Sequence, residues 1–302
     1  MSRQAVLYHY GPFQPLWQQA GLIQCGPRVA ATASSITVLS PEVAAIQKGL
    51  TARNWPPAGV LIHYTDPFLI RAAPLTGLNQ WPGPRLLVCG DLHHGPAPID
   101  TLVAYLARQP HHAVLLAFNP ILLDVVQQRL QIPVHCQPPG LFRYPRQQRH
   151  CAPARQLVHV GSLGPHHPQR RALVEALQQR GRIPFLHVTT ETPEQAAEIY
   201  ASNALVLNIP LNNDLNHRFF EVMAAGTPQV VFANQALLGP LKQFASRPDL
   251  FWVEQVEQLE TLVLKLLSDP CLERLTVAPP PEPTLHQLLR QCLAPPSTHT
   301  LA

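Results

Sequence analysis

Leu205–Val231 reads LVLNIPLNNDLNHRFFEVMAAGTPQVV, and the fold class follows from it. The aliphatic run Leu205–Asn208 predicts a buried strand, which the Asn/Asp-rich loop after it terminates. Phe219, Phe220, Val222 and Met223 then give an apolar face to a helix over Asn216–Ala225. That helix stops at Gly226, the residue type expected just past a helix end. Thr227-Pro228 leads into a second buried strand, Gln229–Phe232. Strand, helix and strand in that order make a βαβ unit, hence a parallel sheet covered by helices. Neighbours three and four apart share a helix face, so Arg218 and His217 both flank Glu221. Two readings fit this cluster. It is a surface helix with an internal ion pair, or it presents a carboxylate that accepts two hydrogen bonds from the vicinal hydroxyls of a sugar.

The same alternation fills the rest of the second half. Strands are expected at Gln156–Val160, Ile183–Val188 and Leu250–Val253, and helices at Gln169–Arg180, Pro193–Ala201 and Val256–Ser268. The first half repeats it, with strands at Ala5–His9, Ser35–Leu39, Gly59–Tyr64, Leu86–Gly90, Ala113–Phe118 and Ile132–His135 and helices around Ile99–Leu106 and Pro120–Leu130. A short amphipathic helix is expected at Leu285–Cys292. Between the halves, Gln137–Arg155 (QPPGLFRYPRQQRHCAPAR) is rich in Pro and Arg and has no apolar periodicity, the composition of an interdomain linker. The expectation is α/β: two Rossmann-like domains, residues 1–150 and 151–302, facing across a cleft at the carboxyl ends of both sheets, where open α/β sheets bind ligands.

Composition narrows the function classes. With 302 residues, 46% hydrophobic and 13% charged, the chain reads as a soluble globular protein. Twenty-two basic against 18 acidic residues give a net charge of +4 without a basic run, which argues against a nucleic-acid partner. Six scattered cysteines without a CxxC pair read as reduced and mostly buried. The N-terminus lacks the pattern of a secretory signal, and no apolar stretch has the length of a transmembrane helix, so a cytoplasmic location is expected. Adjacent pairs such as His93-His94 and His166-His167 diverge on either kind of element. No HxxxH or HExxH occurs, so no metal site is expected.

Gln156–Arg171, QLVHVGSLGPHHPQRR, places a Gly-Ser-Leu-Gly turn between a buried strand and a helix. Such a turn lets backbone amides and a helix N-terminus approach an anion, and a diphosphate fits there. It is neither GxGxxG nor a P-loop, and a plain tight turn reads equally well. Arg170 and Arg171 are either phosphate partners or solvated helix residues.

RFFEVMAAGTPQVV resembles the signature of group 1 glycosyltransferases with the GT-B fold. Together with VGSLGPHHPQRRALVEAL and GDLHHGP it most resembles their CgeB-like (spore maturation protein type) branch. The similarity is specific over residues 156–232 and weaker over 86–143. It implies a nucleotide-diphosphate sugar as co-substrate, bound mainly by the C-terminal domain, with no further cofactor and no metal. It carries over Glu221 as the ribose-holding carboxylate, Gly161 and Ser162 as the diphosphate-facing turn, Arg218 as a phosphate or sugar contact, and Gly226 with Thr227 as the turn near the nucleotide. Many relatives have another glutamate eight residues before the ribose-binding one. Here Asn213 stands in its place with Asp214 beside it, which departs from the donor-sugar contact of those enzymes.

The resemblance leaves the acceptor, of unidentified chemistry, to the N-terminal domain. Candidates are His63 and Asp66, and Asp91, His93 and His94, each group just after a predicted strand. Asp91 or His93 would act as general base if the reaction inverts, while the competing reading makes Asp91 a turn cap. The expected function is sugar transfer. Its alternatives are a catalytically silent GT-B-like module that binds a nucleotide or a partner, and an epimerase or hydrolase of nucleotide sugars.

Overall fold

A computed structural model describes residues 5–11, 21–55, 59–93, 95–136, 142–165, 167–211, 214–280 and 284–293. It divides into one unit of Met1–Arg143 with Glu282–Ala302 and a second of Tyr144–Pro281.

The first unit holds β1 (Ala5–Tyr8), β2 (Leu22–Gly26), β3 (Ser35–Thr37), α1 (Val43–Ala52), β4 (Val60–Thr65), α2 (Pro67–Ala72), β5 (Arg85–Cys89), α3 (Pro98–Arg108), β6 (Ala113–Leu116), α4 (Leu123–Gln127) and β7 (Val134–Cys136). All strand pairs are parallel, in the order β3-β2-β1-β4-β5-β6-β7. A parallel sheet is covered on both faces, which is why AVLY in β1 and AVLL in β6 are apolar without alternation and buried throughout.

The second unit holds β8 (Ala154–Val160), α5 (Pro168–Arg180), β9 (Phe185–Val188), α6 (Pro193–Ala201), β10 (Asn203–Asn208), α7 (His217–Ala224), β11 (Gln229–Phe232), α8 (Lys242–Ala245), β12 (Leu250–Val253) and α9 (Val256–Ser268). Its five parallel strands run in the order β12-β11-β10-β8-β9. The chain leaves β8 toward β9 on one side and returns to β10 on the other. The carboxyl ends of β8 and β10 therefore flank a topological switch point. Both faces carry a core, one around Leu157, Leu205 and Val230 and the other around Val158, Tyr200 and Val222.

Several expectations are displaced. The units part at Arg143/Tyr144 rather than near residue 150, and the last helix, α10 (Leu285–Leu293), groups with the first unit. It buries Leu285, Leu288 and Cys292 and packs beside β6, an apolar stripe that finds its cover far back in the sequence. β2, α1 and α2 lie outside the sequence reading. Gln24 interrupts the apolar run of β2, and α2 is too short for periodicity to register. Of the helix expected at Pro120–Leu130, only a 3₁₀ turn and the short α4 form. All six cysteines are free, and Cys151 and Cys271 are exposed. No helix among the described residues is long and apolar enough to cross a membrane.

Candidate functional site

The turn after β8 is built around a missing side chain. Gly161 has φ +151°, and a Cβ there would lie 2.5 Å from Arg218 Nη2 and 3.6 Å from His159 Nε2. Glycine thus lets the guanidinium of α7 lie directly against the strand end. His187 Nε2 donates to the Gly161 carbonyl at 2.8 Å, and its ring stacks on His159 at 5.9 Å. In a trans peptide the N–H lies opposite the carbonyl, so the Ser162 N–H points away from His187. The Ser162 hydroxyl closes the turn by accepting from Gly164 N at 3.1 Å.

Two arginines from different elements meet here. Arg170, on the first turn of α5, is buried and reaches back to the carbonyls of Ser162 (3.4 Å) and Ile209 (3.5 Å). Burial lowers its pKa to about 10. The Arg218 charge acts in the same direction, and Asp214 opposes both. Arg218 Nε and Nη1 and Arg170 Nε are buried and have no hydrogen-bond partner among the described residues. Unpaired buried donors cost about 1–3 kcal/mol each, more when charged, so these N–H groups are open to an acceptor. Behind them, His159 donates from Nδ1 to the Leu207 carbonyl at 2.9 Å. Burial and the Arg218 charge push its pKa down to about 2, which keeps it neutral.

The start of α7 is fixed by a polar chain that periodicity does not reveal. Asn216 Nδ2 donates to Asn208 Oδ1 (3.0 Å), Asn208 Nδ2 to Gln229 Oε1 (3.1 Å), and Gln229 Nε2 to the Phe219 carbonyl (3.0 Å). One helical turn further on, Glu221 is half-buried and accepts from the Tyr200 hydroxyl at 3.3 Å. Burial raises its pKa, and the neighbouring Arg218 charge and the Tyr200 bond hold it back. Carboxylate and guanidinium thus share the α7 face above the β8 turn.

Gly161, Ser162, Arg218, Glu221 and Asp214 therefore gather at one end of the sheet, while Gly226 and Thr227 do not join them. α7 carries the chain back toward the strand amino ends, a rise of about 12 Å for its eight residues. There Gly226, at φ +70°, lies beside Arg149. The buried Thr227 hydroxyl donates to the Tyr200 carbonyl at 2.8 Å. Both are turn-building residues, a correction to their assignment near the nucleotide. Asn213 and His94 lie outside the described residues.

In the first unit, His93 N donates to Asp91 Oδ1 at 2.8 Å. The buried Asn119 accepts from Leu92 N at 2.9 Å and bonds His93 Nε2 at 2.8 Å. Both proposed acceptor-side residues thus help build their own loop. Asp66 caps α2 by accepting from Leu69 N at 2.9 Å. His63 is no surface ligand. It is buried between Tyr8, Tyr105 and His111, since β4 turns it into the core. Among the described residues no three His, Cys, Asp or Glu side chains could hold a metal ion. The sequence reading missed His159, His187, Tyr200 and the Asn208–Gln229 pair. Their signal is polar residues inside otherwise apolar strands or helix faces.

Residues 146–277 match the family described as Glycosyl transferase-like. No curated protein matches the sequence. Sucrose-phosphate synthase from Thermosynechococcus elongatus superposes with a TM-score of 0.55 at 13% identity, over 90% of this chain and 92% of that one. An alpha-glucosyltransferase in complex with UDP and a 13-mer DNA containing a HMU base gives 0.54 at 11% identity, again over 90% and 92%. TarM gives 0.47 at 11% identity over 71% of this chain, which spans 49% of TarM's length. The fold is thus that of GT-B glycosyltransferases, and the second unit is glycosyl transferase-like in sequence as well.

Proposed function

We propose that the second unit binds a nucleotide-diphosphate sugar and that the chain transfers its sugar to an acceptor nucleophile without a metal ion, as a CgeB-like member of the group 1 glycosyltransferases. The observation that carries this reading is the pair of guanidinium groups, Arg170 and Arg218, whose buried Nε atoms and Arg218 Nη1 have no hydrogen-bond partner among the described residues, with Arg218 lying against Gly161. A diphosphate satisfies them and relieves their mutual repulsion. In the reaction the bond between the anomeric carbon and the diphosphate oxygen breaks and a bond to the acceptor oxygen forms, with the acceptor proton passing to a base or to the departing diphosphate. Negative charge grows on the leaving group, and preorganised cationic donors in a dry site stabilise that charge. Glu221 takes the ribose hydroxyls, and Asp214, beside Arg170, faces the donor sugar.

UDP is the first nucleotide to test, because the alpha-glucosyltransferase above is complexed with it. Calorimetry and thermal shift with UDP, GDP and TDP and their sugars, on wild type, Arg218→Ala and Glu221→Ala, test the reading. It expects saturable binding that both variants weaken, and donor turnover. Binding without turnover reduces the protein to a nucleotide-binding module, and absence of any binding overturns the proposal.

A further inference from the structure

The first unit carries a pocket of ≈ 480 Å³ lined by Gln47, Leu50, Asn54, Trp55, Trp81 and Pro82 together with Thr51. It lies where α1 ends, before β4, and where Trp81-Pro82 leads toward β5. Both places are at the strand amino ends, the opposite edge of the sheet from the Asp91–His93 loop. Its size is that of small-ligand sites.

The pocket wall is preorganised by the way α1 stops. Asn54 N donates to the Thr51 carbonyl (3.0 Å) and Trp55 N to the Leu50 carbonyl (3.1 Å), with Asn54 at φ +53°. This Schellman closure brings Trp55 onto Leu50, and its left-handed position usually holds Gly. Here the position holds Asn, which adds a carboxamide with two donors and an acceptor. Gln47 Nε2 donates to the Gln80 carbonyl at 3.2 Å, which orients its amide and leaves Oε1 as an acceptor. The Thr51 hydroxyl donates to the Gln47 carbonyl at 3.0 Å and keeps its acceptor lone pairs. Arg53 lies over the Trp55 ring at 5.7 Å and holds its plane. Trp81 is buried and fixed.

Among the described residues no charged side chain lines the pocket. Two indoles, Leu50 and Pro82 supply apolar wall, while two amides and a hydroxyl supply neutral hydrogen bonds. A pyranose matches this combination, because it offers a C–H face to aromatic carbon and a rim of hydroxyls to amides. Arg53 is engaged on the Trp55 ring and is not in the lining, so the described lining offers a phosphate or carboxylate no cation.

We propose that this pocket is a carbohydrate-binding site separate from the donor site of the second unit, and that it takes a neutral hexose or a short neutral glycan. The test titrates the full chain with maltotetraose, cellotetraose and chitotetraose, followed by tryptophan fluorescence and backbone amide shifts, with uridine as a control. Saturable binding of at least one oligosaccharide is expected at Trp55, with a Kd on the order of millimolar. Trp55→Ala should weaken it about tenfold or more. Asn54→Gly keeps the left-handed turn and folds, so its expected loss of about fivefold reports the amide rather than folding. Glu221→Ala should leave this binding intact, which separates the pocket from the donor site. The proposal is overturned if no oligosaccharide saturates, if binding survives Asn54→Gly undiminished, or if uridine occupies the pocket instead.

Discussion

The strand carboxyl ends of the two units use polar residues in opposite ways. In the first unit the polar groups of the loop after β5 find protein partners: Asp91 accepts from its own turn, and buried Asn119 bonds both Leu92 and His93. In the second unit the turn after β8 lies beside guanidinium nitrogens of Arg170 and Arg218 that are buried without partners among the described residues. Shared topology therefore does not make an anion site. What differs is whether the fold leaves buried donors without a hydrogen-bond partner. The units differ in their histidines too. The first buries His9, His63 and His111, whereas His159 is the one buried histidine described in the second.

The histidine contrast predicts the largest effect. Burial lowers His9 to about 4, His111 to about 3 and His63 well below 6.5. With native pKa values depressed, the unfolded chain binds protons first. Stability is therefore full above pH 6.5 and falls as acid approaches the native values. His9 and His111 each cost about 2 kcal/mol between pH 6.5 and 5, and His63 acts in the same direction, against about 2 for His159 alone in the second unit. Hydrogen exchange across this range should show β1, β4 and β6 losing protection before β8 and β10. Equal loss in both sheets would erase the distinction.

Arg218→Ala sharpens the anion-site contrast. It should lower kcat/KM for the donor about 10²- to 10³-fold without lowering Tm, because it removes buried donors that the described residues leave without a partner. A falling Tm would make Arg218 a structural residue. For Glu221→Gln, a loss of about 10- to 100-fold in donor affinity is expected, since a charge-assisted acceptor becomes a neutral one. Thr227→Val should cost about 1 kcal/mol of stability, read from denaturant midpoints, and leave donor KM unchanged. The smallest effect belongs to Asp91→Asn, which keeps the Oδ1 acceptor of the turn. Activity within about twofold of wild type fits a cap, whereas a loss of 10² or more would make Asp91 a general base.

Much of the second unit was legible because its strands are unbroken aliphatic runs and its helices carry apolar faces. β10, α7 and β11 lie within two residues of their expected bounds. Legibility failed where a polar residue sits in a buried element. Gln24 hides β2, and His63 reads as a loop-proximal ligand although β4 points it into the core. Gly226 and Thr227 were misplaced for a related reason. Proximity to Glu221 in sequence suggests proximity in space, but a helix carries its two ends to opposite edges of a sheet.

Local periodicity and turn chemistry by themselves determined the parallel α/β class, the helix carrying Arg218 and Glu221, and the glycine turn at Gly161. These depend on residues adjacent in the chain. Only the tertiary structure decided that Arg170 is buried rather than solvated, that Asn208, Gln229 and Asn216 brace α7, and that α10 covers the first sheet. The physical reason is that burial and hydrogen-bond satisfaction depend on partners far away in sequence. A guanidinium is open to an anion only where the fold has removed its water and left some of its N–H groups without a partner.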